Sequence, residues 1–338
     1  MLTHALVQTS WKSMLRYILA AMTLFILIFS FSAHTRALAH LSISPDTGKF
    51  IEYPLPNGAT PDGITVGPDG NLWFTERNGI GKITPQGQIT EYPLNNGADP
   101  HRITAGPDGN LWFTADLTDE VGKITTQGQI TVYPLRSGAT PEGITAGPDG
   151  NLWFVETVDN EVGKITPAGS LTQYPLPSCC TSPQDITAGL DGNLWFTTVY
   201  ANSVVKLTPK GKFTAYAIHN SRGGTVYPLT IRVGPDGNLW FTEYVGNRVD
   251  KITRKGKITQ YPLPSGNNAP FGITEGPGRN LWFTVQDNNE IGKITTKGRI
   301  TEYPIPTSNS EPRGIAATSN GDLWFAESGA NKIAEFIP

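Results

Sequence analysis

The chain has 338 residues, enough for two ordinary domains, with 37 glycines, 27 prolines and a formal net charge of −3. Beyond residues 1–39, 29 acidic side chains face only 23 basic ones. Binding to a phosphate backbone needs clustered Lys and Arg, so this balance argues against nucleic acid as a partner.

The N-terminal segment, residues 1–39, is predicted to be a targeting signal. Lys12 and Arg16 precede an apolar run, and the small residues Ala37 and Ala39 follow at the spacing that a signal peptidase accepts. The run is slightly short for a comfortable membrane span. We expect cleavage after Ala39, with an uncleaved N-terminal anchor as the alternative. In either case the protein is secreted or held in the cell envelope.

One phrase recurs along residues 40–338, which we expect to form a single domain. Each copy contains an LWF triplet, and successive copies are 39 to 45 residues apart. A period near 40 residues is typical of propeller blades. The seven repeated tryptophans are Trp73, Trp112, Trp153, Trp195, Trp240, Trp282 and Trp324.

The copy at residues 63–94 predicts four short strands. GITV and LWFTE flank the Asp-Gly turn of GPDGN, and IGKIT turns through PQGQ into ITEYPL. Each run is rich in Ile, Thr and aromatic residues and is bounded by Gly or Pro, as strands are. No helical periodicity interrupts the pattern, so the unit is a blade of four antiparallel strands.

The two ends of the array predict a closed ring. An isolated fourth strand at residues 50–55 precedes the first copy, and the last copy stops after its third strand. The N-terminal strand therefore completes blade seven and leaves no open sheet edge. The prediction is an all-β fold, a seven-bladed β-propeller with four antiparallel strands per blade, which we expect to be a monomer.

Two adjacent cysteines, Cys179 and Cys180, lie in the sequence PSCCTSP. Neighbouring cysteines pair only as a strained ring, which an oxidising compartment permits. Because no CxxC spacing is present, we interpret them as a loop pair without a catalytic part.

Blade seven carries the most conspicuous charges. Pairing through the turn at Asn320 predicts that Gly314 lies opposite Glu327, which would bring Glu327, Glu311 and Arg313 together at the mouth of the channel. With Glu76 and Asp62 (from blade one) the glutamates would form an acidic patch suited to Mg²⁺ or Ca²⁺. The alternative is that Glu327 belongs to the repeat and pairs with a third-strand lysine.

The residues at these positions vary from blade to blade while the strand cores repeat, which is how propellers carry sites. The Arg313 position is occupied elsewhere by Asp62, His101, Glu142, Gln184, Leu229 and Phe271, and the Glu311 position by Thr60, Asp99, Thr140, Ser182, Tyr227 and Ala269.

The phrase GITxGPDGNLWFTE, with N-x-IGKIT and ITEYPLP, resembles the virginiamycin B lyase (streptogramin B lyase) family over residues 50–338. The resemblance implies a Mg²⁺-assisted elimination that linearises a cyclic depsipeptide at its ester. It places the two metal-binding glutamates on Glu311 and Glu327. The family's base falls on Arg313, and its substrate-contacting histidine falls on Phe271.

Two functions follow as hypotheses. In the first, the protein is a secreted lyase acting on a cyclic peptide or lactone, with Mg²⁺ on Glu311 and Glu327; since arginine cannot act as a base, His101 in blade two would be the base of a shifted site. In the second, the protein is a non-catalytic module whose mouth, including Tyr227 and Phe271, recognises a peptide or glycan. A Ca²⁺-dependent lactonase-type propeller is a third option.

Overall fold

The computed structural model describes residues 48–56, 58–94, 97–220, 223–264 and 268–338. The predicted targeting segment, residues 1–39, lies outside these ranges. The residues from Gly48 to Pro338 form one compact unit. None of the helices in the described ranges has the length and apolar character needed to cross a membrane.

The described chain forms seven four-stranded antiparallel sheets, which confirms the predicted seven-bladed propeller. Blade seven receives its outermost strand from the N-terminal side, β1 (Lys49–Pro54). Blade one holds β2 (Pro61–Val66), β3 (Leu72–Glu76), β4 (Gly79–Ile83) and β5 (Ile89–Pro93). Blade two holds β6 (Pro100–Ala105), β7 (Leu111–Ala115), β8 (Glu120–Ile124) and β9 (Ile130–Pro134). Blade three holds β10 (Pro141–Ala146), β11 (Leu152–Glu156), β12 (Glu161–Ile165) and β13 (Leu171–Pro175).

The remaining blades repeat this order. Blade four holds β14 (Pro183–Ala188), β15 (Leu194–Thr198), β16 (Ser203–Leu207) and β17 (Phe213–Ala217). Blade five holds β18 (Pro228–Val233), β19 (Leu239–Glu243), β20 (Arg248–Ile252) and β21 (Ile258–Pro262). Blade six holds β22 (Pro270–Gly276), β23 (Asn280–Val285), β24 (Glu290–Thr295) and β25 (Ile300–Pro304). Blade seven holds β26 (Pro312–Ala317), β27 (Leu323–Glu327) and β28 (Lys332–Ile337). Short 3₁₀ turns occur at Pro277–Arg279 and Ser328–Ala330.

The ring closes as predicted. β1 pairs with β28 from Lys49↔Ile337 to Pro54↔Lys332, and the first strand of blade one, β2, lies beside the first strand of blade seven, β26. The first strands of successive blades neighbour one another, so they line the central channel. The loops that enter them form one face of the ring, which we call the mouth.

The repeated phrase is explained by one packing unit. Trp73 is fully buried and packs against Phe113 of the next blade, so each tryptophan ties two blades together. Its indole Nε1 donates to Asp69 of the GPDGN turn at 2.9 Å, which satisfies the one polar atom of the ring. Tyr92 stacks on the same indole at 5.5 Å, and the Lys82 ammonium lies 5.1 Å from its centre.

Candidate functional site

A β-bulge at the mouth sets which side chains face the channel. In blade seven Pro312 pairs with Glu327, and the next pair inward is Ile315 with Phe325. The first strand therefore has one more residue than its partner between these pairs, and the expected pairing of Gly314 with Glu327 is wrong. The same register shift recurs in all seven blades, so it is a property of the repeat.

The glutamate that ends a second strand is built into its own blade. Glu156 accepts two hydrogen bonds from Gln173 of the fourth strand, at 2.8 and 2.9 Å. Glu243 forms an ion pair with Arg248 of the third strand at 2.7 Å. This position therefore faces the outer strands of the blade.

Glu327 occupies the same position in blade seven. It is fully buried, and neither carboxylate oxygen accepts a hydrogen bond from the described residues. Burial raises the pKa of Glu327 to about 7, with Glu52 adding to the rise and Lys332 opposing it. Lys332 itself donates to Glu52 at 2.7 Å. The charged neighbours of Glu327 thus belong to β1 and β28.

The residue after this glutamate is the one that contacts the mouth. The Ser328 hydroxyl donates to the Pro61 carbonyl of the next blade, and the Thr157 hydroxyl donates to the Pro183 carbonyl at 2.6 Å. In blade five the same position is Tyr244, whose ring meets Phe271 edge-on at 6.3 Å.

Asp62 is the centre of the mouth. Its carboxylate accepts hydrogen bonds from Arg313 Nη1 at 2.9 Å and from Arg102 Nη1 at 3.0 Å, and lies 3.1 Å from His101 Nε2. Burial alone would raise the pKa of Asp62, but the three cations hold it well below its usual range. Asp62 is therefore neutralised by side chains, and the predicted acidic patch of blades seven and one is not formed.

His101 is held between two carboxylates. Its Nδ1 lies 2.5 Å from Glu142 Oε2, while Nε2 faces Asp62. Burial alone would lower the pKa of His101, but Asp62 and Glu142 raise it to about 10. At neutral pH both ring nitrogens carry protons and donate, so neither has a lone pair available to accept a proton.

An aromatic wall stands beside this charged cluster. The guanidinium groups of Arg102 and Arg313 lie 5.1 and 5.7 Å from the centre of the Phe271 ring. Tyr244 contacts Phe271, and Tyr227 lies 6.2 Å from Tyr244. The structure thus links Phe271 and Tyr227 through Tyr244, a residue that the sequence analysis did not select.

Glu311 lies at the solvent edge of the mouth. Its side chain is exposed and its backbone is left-handed, with φ of 45°. The residues at the same position in blades three to six also have positive φ: Thr140, Ser182, Tyr227 and Ala269. The conformation is therefore part of the repeat and is not specific to a site.

A Mg²⁺ ion shared by Glu311 and Glu327 does not fit this arrangement. Hard divalent cations take several converging oxygen ligands, whereas the charged groups that act on Glu327 are Glu52 and Lys332 of the outer strands. Across the described ranges, no group of three or more His, Cys, Asp or Glu side chains is arranged to hold a metal ion. Magnesium, with calcium as the alternative, stays a prediction from the family resemblance.

The rim of the mouth is apolar on one side. Four consecutive blades, two to five, place a large exposed apolar side chain two positions after the end of the second strand; these are Leu117, Val158, Tyr200 and Val245, each at least 62% exposed. Blades six, seven and one have Asp287, Gly329 and Asn78 there. The mouth therefore combines these four side chains, which we call the apolar crescent, with the charged cluster around Asp62.

Cys179 and Cys180 are free thiols in the structure, with their sulfur atoms 2.8 Å apart. Cys180 is buried in the core between blades three and four, while Cys179 is exposed. They take no part in the hydrogen bonds and ion pairs that the structure describes around Asp62.

Comparison with known proteins agrees with this architecture. The family model described as the virginiamycin B lyase family matches residues 34–225 and 222–338. A comparison with curated protein sequences gave no match. A streptogramin B lyase structure superimposes with a TM-score of 0.82 at 34% identity, covering 87% of this chain and 99% of that one.

Two structures from Staphylococcus aureus are similarly close. Selenomethionine-substituted virginiamycin B lyase matches with a TM-score of 0.80 at 38% identity, covering 86% of this chain and 99% of its own. A catalytically inactive histidine-to-alanine variant of that lyase, with quinupristin, matches with a TM-score of 0.81 at 39% identity and the same coverage. The extracellular domain of a hybrid two-component system from B. thetaiotaomicron shares the fold at 14% identity and a TM-score of 0.70, over 86% of this chain and 42% of that one.

Proposed function

Because the chain belongs to the virginiamycin B lyase family, we propose that it binds a cyclic depsipeptide of the streptogramin B type at the mouth of its channel and holds it without the family's turnover. The observation that carries this proposal is the state of the two candidate bases. Arg313 stands at the family's base position and donates to Asp62, and His101 is a doubly donating cation.

Loss of the base removes the chemical step but leaves the surface that binds. Ester elimination begins when a base takes the proton next to the carbonyl, and a guanidinium does not deprotonate in proteins. In the S. aureus relative, a variant described as inactive differs by one histidine. The family resemblance places the base histidine at Arg313 in this chain.

The mouth is complementary to an amphipathic ring. The apolar crescent of blades two to five can cover aliphatic and aromatic side chains, since exposed apolar groups gathered at one surface mark binding sites. Arg313 and Arg102 can donate to ester and amide carbonyl oxygens, and Phe271 and Tyr244 offer faces for stacking. The same surface would also suit other peptides or glycans that combine apolar groups with carbonyl oxygens.

The second candidate is the family's elimination, run from blades one and two. One observation favours it: His101 is a histidine at the mouth, oriented by two carboxylates. With a pKa near 10, roughly one His101 in a thousand is neutral at pH 7, so His101 would act as a base mainly in alkaline solution. This mechanism predicts that the rate of elimination rises with pH and that the His101→Gln variant has no elimination activity.

The experiment incubates the full chain with quinupristin, measures binding by calorimetry, and analyses products by liquid chromatography and mass spectrometry. Saturable binding without product supports the proposal. A product of unchanged mass and shifted retention supports elimination, and a product heavier by one water means hydrolysis and contradicts both candidates. Absence of binding overturns the proposal.

A substitution sharpens the result. Arg313→His restores a histidine at the family's base position and should raise the yield of the elimination product above that of the unmodified chain. Arg254→His, in an exposed turn on the opposite face, is the matched control and should change nothing. Equal yields from the two variants would show that the base position does not limit turnover.

We also propose that the protein acts outside the cytoplasm. The targeting signal predicted for residues 1–39 supports this location. Fractionation of expressing cells, with mass spectrometry of the mature N-terminus, tests it and separates cleavage after Ala39 from an uncleaved anchor.

A further inference from the structure

Neighbouring blades share a contact on the face opposite the mouth. The fourth-strand tyrosine of one blade covers the glycine in the turn between the third and fourth strands of the next blade. A methyl group added to Gly128 would overlap the Tyr92 ring. The same contact joins Tyr53 to Gly87, Tyr133 to Gly169, Tyr216 to Gly256 and Tyr261 to Gly298.

The junction between blades three and four lacks this contact. Nothing lies within 4 Å of the point where Gly211 would carry a methyl group, although Tyr174 still stacks on Trp153 at 5.6 Å. Trp153 is 9% exposed, whereas the other six repeat tryptophans are at most 1% exposed. The turn of blade four therefore stands away from Tyr174 and opens the interior of the junction.

A cavity of about 300 Å³ occupies this opening. Trp153 and Tyr174 provide aromatic walls, and Leu194, Leu207 and Pro209 complete an apolar lining. This volume is at the lower end for small-molecule sites and accommodates one planar ring system.

The cavity is also lined by the side chain of Lys164, whose ammonium group has no hydrogen-bond acceptor among the described residues. Lys164 Nζ lies 5.3 Å from the Trp153 ring centre and 6.0 Å from that of Tyr174. At the preceding junction the equivalent Lys123 Nζ donates to the Pro167 carbonyl of the next turn at 3.1 Å. Lys164 makes no such bond to any residue in the described part of the chain, a property that it shares with Lys82 and Lys206, but Lys164 lines a cavity.

The only acid that lines this cavity is already engaged. Asp149 accepts from the Trp153 indole at 2.9 Å and from Asn151 at 2.8 Å. The turn of blade four adds Lys210 and Lys212 on either side of Gly211. Asp191, which adjoins the lining Gly192, accepts from the Trp195 indole at 3.2 Å, so three lysines face two engaged acids and the charge around the opening favours an anion.

We propose that this cavity is a second ligand site, independent of the mouth, for a small planar aromatic carboxylate. The ring enters between Trp153, Tyr174 and Leu207, and the carboxylate accepts a charge-assisted hydrogen bond from Lys164. The site needs no catalytic group, and it uses the opening that separates this junction from the five that keep the tyrosine contact.

The test titrates the full chain with indole-3-acetate and follows tryptophan fluorescence and calorimetric heat. Because Trp153 lines the cavity and is the most exposed of the seven repeat indoles, saturable quenching is expected. Indole-3-acetamide, which is neutral, should bind about 10-fold more weakly, the loss expected for one hydrogen bond to a charged group. Lys164→Met should remove this preference for the acid.

Two further variants make the test decisive. Lys123→Met, at an intact junction, is the matched control and should bind like the unmodified chain. Leu207→Phe places a larger ring inside the cavity and should abolish binding while circular dichroism stays unchanged. If quenching is not saturable, or if Lys164→Met keeps full preference for the acid, the assignment is overturned; equal binding of non-aromatic acetate would reduce it to a general anion site and also contradict it.

Discussion

Asp62→Asn should destabilise the protein more than any other single charge removal at the mouth. The Asp62 side chain is 9% exposed and is the shared acceptor of Arg313, Arg102 and His101, at 2.9, 3.0 and 3.1 Å. Substitution keeps the shape but leaves three cations close together without their common counter-charge. Removing one partner of a buried ion pair costs about 3–5 kcal/mol, and that is the loss expected in the free energy of unfolding.

The pH dependence of this loss follows from two opposite pKa shifts. The pKa of Asp62 is lowered in the folded state, so its contribution is present above pH 3.8 and is lost as pH falls below that value. The pKa of His101 is raised to about 10, so its contribution is complete below pH 6.5 and is lost as pH rises toward 10. The difference between variant and unmodified chain should be largest between these limits.

Urea denaturation followed by tryptophan fluorescence, at several pH values, measures the effect. Asp116→Asn is the control: burial raises the pKa of Asp116, so loss of its charge should be neutral or slightly stabilising. If Asp62→Asn lowers the free energy of unfolding by less than about 1 kcal/mol, the size of a surface ion pair, Asp62 is not the buried shared acceptor of three cations that we describe.

Three other substitutions have defined outcomes. Because the pKa of Glu327 is about 7, its protonated form stabilises the fold; this contribution is complete below pH 4.5 and is lost as pH rises through 7. Glu327→Gln, which stays neutral, should therefore raise the free energy of unfolding by about 2–3 kcal/mol at pH 8 and leave it unchanged at pH 4. Denaturation with and without Mg²⁺ measures the effect. A Mg²⁺-dependent loss would instead restore the metal hypothesis. Gly128→Ala should lower stability by about 1–3 kcal/mol more than Gly211→Ala, since only the former displaces a tyrosine ring, and thermal melts compare them. Phe271→Leu should weaken quinupristin binding about 10-fold, as measured by calorimetry. An unchanged Kd would show that the aromatic wall does not contribute to binding.

The fold could be predicted almost completely from the sequence because its information is local and repeated. Each copy of the phrase carries its own turn residues, its own tryptophan and the partners of that tryptophan, so the spacing of the LWF triplets was enough to count blades. The closing strand was equally visible, since residues 50–55 match a fourth strand without the first three; the observed strand is Lys49–Pro54.

The site was less predictable because a bulge moves the register by one residue at the mouth. Continuous pairing from the turn at Asn320 assigned the mouth to Glu327, whereas the structure gives that place to Ser328. A signal for the missed residues did exist. Arg102 and Asp185 stand one position after the Arg313 position, where four other blades have glycine, and both side chains enter ion pairs in the channel.

Charge balance at the mouth supports the proposal that this chain binds its ligand without turnover. Compared with the histidine that the family resemblance places at position 313, an arginine adds a fixed positive charge, which the buried Asp62 carboxylate compensates at 2.9 Å. That same carboxylate, with Glu142, keeps His101 protonated, so that His101 cannot accept a proton at neutral pH. One aspartate in blade one therefore stabilises the arginine and suppresses the alternative base together. Under the proposed binding function, gaining turnover by substitution should require that Asp62 be released from Arg313, which is why Arg313→His is a better starting point than the addition of a histidine elsewhere on the ring.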